Sequence, residues 1–80
     1  MAMPRKPYPT LRDYARVMVQ EAALGEQRAD ILGRAAQKVE QEGDTNRAEA
    51  MRHICRKIRV QALLDRGRAI AAEVKAREAE

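Results

Sequence analysis

His53 and Cys55 are the only histidine and the only cysteine of the chain. With Glu49 they are its candidates for metal or acid–base chemistry. Helical residues advance about 100° each, so two positions apart means about 200°, and His53 and Cys55 cannot share a metal. Glu49 and His53 do share a face, but two ligands without a further His or Cys fall short of a zinc or iron site. The Glu-x-x-His pattern of di-iron bundles is also missing, because Arg52 stands three residues after Glu49. Nucleophilic catalysis needs a nucleophile, a base and a third group that orients them. The chain has no Ser, its two Thr stand where helices begin, and its glycines are isolated, so no loop can cradle a phosphate. No catalytic, cofactor-binding or metal-ligating residue is therefore expected, and the chain does not read as an enzyme. His53 reads as a surface residue, and Cys55 as a small core hydrophobe between Met51, Ile54 and Ile58.

The cations carry a second kind of chemistry. Residues 1–20 have net charge +3, residues 21–45 have −3, residues 46–68 have +5 and the remainder −1. Arg52, Arg59 and Arg66 are seven apart and form a row along one helix flank, with Arg56 beside it. Such a row could follow phosphates, each neutralised charge adding a salt-dependent contribution, and Arg5 and Lys6 could extend it. The plain alternative is a solvated face whose Arg stems shield apolar neighbours. A helix-turn-helix centred on Gly33 is rejected, because Arg28, Arg34 and Glu42 would fall where apolar residues belong.

The elements that hold these residues are helices. Pro4, Pro7 and Pro9 each remove a backbone donor, so residues 1–9 read as a flexible basic arm. Thr10 should cap a first helix, with Asp13 three residues on. Leu11, Tyr14, Ala15, Val17, Met18 and Ala22 recur at helical spacing, and Gly25 is a plausible stop. A second helix is expected from about Glu26 to Glu42, with Ile31, Leu32, Ala35, Ala36 and Val39 on one side. Gly43 should close it and Asp44 or Thr45 cap the next. From Asn46 to about Ala79 only Gly67 disfavours helix, by roughly 1 kcal/mol against Ala. The last helix either runs through Gly67 or breaks there.

That last segment carries two apolar stripes. Met51, Ile54, Cys55, Ile58 and Ala62 lie within about 100° of one another and suit a core of three helices. Val60, Leu63, Leu64, Gly67, Ile70, Ala71 and Val74 centre about 150° away, where nothing in so short a chain is left to cover them unless it folds back at Gly67. Eighty residues allow one small domain, spanning residues 10–80 beyond the arm. Leu, Ile, Val and Phe number only 14 while Ala contributes 15, and there is no Trp or Phe. An isolated monomer should therefore be marginal. No run of residues is apolar enough for a membrane span or a secretory signal, so a soluble cytoplasmic protein is expected.

From Tyr14 to Val60 the chain resembles a domain of unknown function found in short helical proteins of alphaproteobacteria. The resemblance lies in the aromatic of the first helix, Gly25, the Ile31-Leu32 pair, the Glu42-Gly43-Asp44 turn, and Met51, Ile54 and Ile58. The family usually has Trp where Met51 stands, and it implies no activity and no site residues. The sequence thus predicts an all-α protein, a three-helix or four-helix bundle with a long C-terminal helix. Its expected function is non-enzymatic binding, with self-association through Leu63, Leu64, Gly67, Ile70, Ala71 and Val74, so a homo-oligomer or a helical protein partner. The alternatives are sequence-tolerant nucleic-acid binding through Arg5, Lys6, Arg52, Arg56, Arg59 and Arg66, and an anti-defence inhibitor carried by a mobile element. Neither a membrane nor a small-molecule partner is expected.

Overall fold

Thr10 opens the first helix as its sequence predicts. Its hydroxyl accepts from the Asp13 backbone N–H at 3.0 Å and donates to the Asp13 carboxylate at 2.8 Å, which occupies both polar groups of the cap. The computed structural model describes residues 10–79, so the arm with Arg5 and Lys6 lies outside the described residues. Two helices follow: α1 (Leu11–Gln41) and α2 (Thr45–Ala79). Between them Glu42, Gly43 and Asp44 make the turn. Gly43 has φ +94°, the left-handed region that a side chain disfavours. Its N–H donates to the Glu40 carbonyl at 2.9 Å, and the Asp44 N–H donates to the Val39 carbonyl at 3.2 Å. These two bonds are the Schellman closure of a helix C-terminus. Asp44 then caps α2, its carboxylate accepting from the Arg47 N–H at 3.0 Å.

The two helices pack against each other in opposite directions along a seam of small residues. In α1, Ala15, Ala22, Ala29 and Ala36 recur every seventh position, none more than 1% exposed. In α2, Ala48, Cys55, Ala62, Ala69 and Ala76 also recur every seventh position and are buried. Three residues further along each repeat lie Met18, Gly25, Leu32 and Val39 in α1, and Met51, Ile58, Asp65 and Ala72 in α2, all buried or half-buried. Two inward positions in every seven is the pattern of a coiled-coil seam. Alanine at one of them lets the two backbones approach closely.

The predicted bundle of three or four helices is therefore corrected to a two-helix hairpin. Gly25 does not stop a helix. It lies on the seam, where an added Cβ would stand 3.6 Å from the Ala62 Cβ and 3.7 Å from Ile58 Cγ2. Close approach to α2, and not a turn, is what this glycine serves. The first two predicted helices are thus one. Gly67 does not break α2 either, so no fold-back covers Leu63 and Leu64. Ile54 and Ile31 also depart from expectation: both are exposed, because the seam is narrower than the stripes assigned to them and runs through Cys55 and Leu32 instead.

Candidate functional site: the flanks and outer face of the hairpin

The arginine row lies along one flank of the seam. Arg66 grips Glu26 with two parallel bonds, Nε to Oε2 at 2.9 Å and Nη2 to Oε1 at 2.5 Å. Arg52 pairs with Glu40 across the seam and with Glu49 on its own helix at 3.2 Å. Arg59 lines a hollow beside Gly33, which offers no side chain, and reaches Asp30 at 3.0 Å. All three arginines of the row are thus bonded to α1 carboxylates. Of the four arginines assigned to nucleic acid on α2, only Arg56 points outward without an ion pair among the described residues.

The Arg66 hydrogen bond, opposed by desolvation and aided by the guanidinium charge, holds Glu26 below its ordinary value of 4.5. The hydrogen bond from Arg52 and its charge do the same for Glu40. A carboxylate with a lowered folded pKa stabilises fully above its unfolded value and loses that contribution as pH falls through the folded one. The hairpin should therefore melt lower at about pH 3 than at about pH 6, and the Glu26→Gln, Glu40→Gln double variant should lose less on acidification. Glu40 is exposed and Glu26 only half-buried, so solvent screens both pairs and the difference is small. Equal acid sensitivity in the two proteins, read by circular dichroism, would remove these pairs from the account.

Cys55 and His53 are separated as their spacing requires. The Cys55 thiol is buried in the seam and donates to the Ala29 carbonyl at 3.1 Å, while His53 is exposed on the outside of α2. Among the described residues no cluster of three or more His, Cys, Asp and Glu could hold a metal ion. A thiol reagent should label native Cys55 far more slowly than the unfolded chain, because the Sγ becomes accessible only when the helices part. Equal rates in native and denaturing buffer would contradict its place in the seam.

Asp65 was not singled out by its sequence, yet it is the one buried charged residue described, at 8% exposure. It stands one seam step from the Gly25–Ala62 contact. It accepts from Gln61 Nε2 at 3.0 Å and from Arg68 Nη1 at 3.4 Å, both on its own helix. Its seven-residue spacing from Ile58 and Ala72 was the available signal. Because both donors are on α2, they compensate the buried carboxylate within its own helix, independently of the register with α1.

The outer face of α2, turned away from α1, holds the second stripe. Leu63 is 68% exposed, Ile70 65%, Val60 56% and Leu64 50%, with Val74 at the far end. An open depression lined by His53, Arg56, Lys57, Val60 and Gln61 adjoins its N-terminal end. Smaller hollows flank the seam, one of them lined by Asp30, Gly33, Arg34, Gln37 and Arg59. Among the described residues, no helix is long and apolar enough to cross a membrane. No family model matches the chain, and neither does any curated protein or solved structure.

Proposed function

We propose that this chain is a non-enzymatic helical binding module that associates with itself through the outer face of α2, at Leu63, Leu64, Gly67, Ile70, Ala71 and Val74. The observation that carries the reading is the exposure of these aliphatics in a hairpin that buries little else. A seam alanine hides one methyl group, of the order of 0.8 kcal/mol, where a buried Leu or Ile is worth about 1.5–3 kcal/mol. No large side chain among the described residues is fully buried. Most of the burial available to this sequence thus lies on surfaces the hairpin leaves open, and an exposed apolar strip of this kind marks an interaction site. Kinship with the alphaproteobacterial helical family belongs to the same proposal and adds no activity to it. Phosphate binding is the weaker alternative, since Arg52, Arg59 and Arg66 would have to give up carboxylates, leaving Arg56 and Lys57 as its carriers.

Sedimentation of the wild-type chain at low and high salt tests the reading. The expected result is a dimer that persists at high salt, because apolar burial is not screened as phosphate contacts are. A chain that stays monomeric at the highest concentrations reached would overturn it.

A further inference from the structure

We infer that two copies pair through α2 in opposite directions, about a two-fold axis at Gly67. This inference rests on the self-association reading and gives it a geometry. Gly67 is the starting point. It lies inside a 35-residue helix, where Gly costs about 1 kcal/mol against Ala. Nothing in the hairpin requires it, for a Cβ built there would meet no atom within 4 Å. Gly25 and Gly33 differ, because each has a neighbour across the seam at 3.6–3.9 Å. What Gly67 leaves room for lies outside the chain.

The stripe is laid out evenly around that glycine. Val60 and Val74 lie seven residues to either side, Leu63 and Ala71 four, and Leu64 and Ile70 three. A two-fold axis through Gly67 brings Val60 against Val74 of the second copy, Leu63 against its Ile70 and Leu64 against its Ala71. The whole stripe is then covered in both copies at once, and two glycines meet where the helices are closest.

Charge sets the direction. Beyond the aliphatics lie Arg56 and Lys57 at one end, and Arg77 and Glu78 at the other. Arg56 and Lys57 form no ion pair among the described residues and border the open depression beside Val60. Antiparallel pairing brings Glu78 of the second copy to Lys57. It sets Arg56 beside an Arg77 that already has Glu73 at 3.9 Å. Parallel pairing would instead gather the Arg56 and Lys57 of both copies at one end, four cations together, which is unfavourable.

Cysteine pairing tests this in the full chain, with Cys55→Ala removing the native thiol at a position where the seam already favours alanine. Val60→Cys and Val74→Cys are made separately and oxidised alone and mixed, with sedimentation run alongside. The expected result is a dimer in which the mixture cross-links and neither single variant does. Gly67→Ala should weaken the dimer by about tenfold or more while raising the helicity of the monomer. A dimer in which each single variant cross-links with itself is parallel and overturns the pairing. One that cross-links under none of these conditions uses another surface and overturns it equally, with self-association left standing. A monomer at all concentrations defeats the pairing and the self-association reading together.

Discussion

Ala29→Leu is expected to cost the hairpin about 3 kcal/mol, the upper end of what overpacking a core does. Ala29 has no exposed surface, and its carbonyl accepts the Cys55 thiol across the seam. A leucine there has nowhere to go: the Ala repeat holds the two backbones too close for three further carbons, and the flanks are fixed by Arg59–Asp30 and Arg66–Glu26. The helices must separate locally or the seam must slip. Stability of small domains is of order 0.05–0.15 kcal/mol per residue, so this one change removes a large part of the total. Thermal unfolding followed by circular dichroism measures it, with Ala23→Leu as the control because Ala23 is exposed on the same helix. If the two variants melt alike, the helices are not held at alanine distance.

The seven-residue alanine repeat was present in the sequence, but large aliphatics outweighed it as a signal. A reading built on Leu, Ile and Val takes Gly25 as a stop, since the aliphatics on its two sides do not join into one broad stripe. In the structure the stripe is narrow and alanine-lined, and a glycine belongs in it. Alanines outside the repeat, such as Ala23, Ala50 and Ala71, further blur the pattern. The caps were legible, because Thr10 with Asp13 and Gly43 with Asp44 act within a few residues of themselves. The row of Arg52, Arg59 and Arg66 was legible as a row. Its partners were not, since Glu40, Asp30 and Glu26 lie on the other helix and meet the row only once the antiparallel register is known. The outer stripe of α2 could be read directly, because helical angle alone separates Leu63 and Ile70 from Cys55 and Ile58.

Leu64→Glu with Ile70→Glu is expected to turn a dimer into a monomer that is still folded. Leu64 and Ile70 are exposed in the hairpin, off the seam. Within one chain their replacement exchanges two solvated aliphatics for two good helix formers, at little cost. In a two-fold dimer each change counts twice, so four aliphatic side chains lose their burial at about 1.5–3 kcal/mol apiece. Even the lower value gives about 6 kcal/mol, a rise of about 10⁴-fold in the dissociation constant. Four carboxylates brought together at the interface would add repulsion to that. Equilibrium sedimentation measures the association, and circular dichroism below the wild-type dissociation constant measures the fold of the monomer. A double variant that remains dimeric places the interface elsewhere, on the exposed Leu24, Ile31 and Ile54 being the next aliphatics available. A double variant that loses its helix even at low concentration shows instead that these side chains support the hairpin itself, which their exposure argues against.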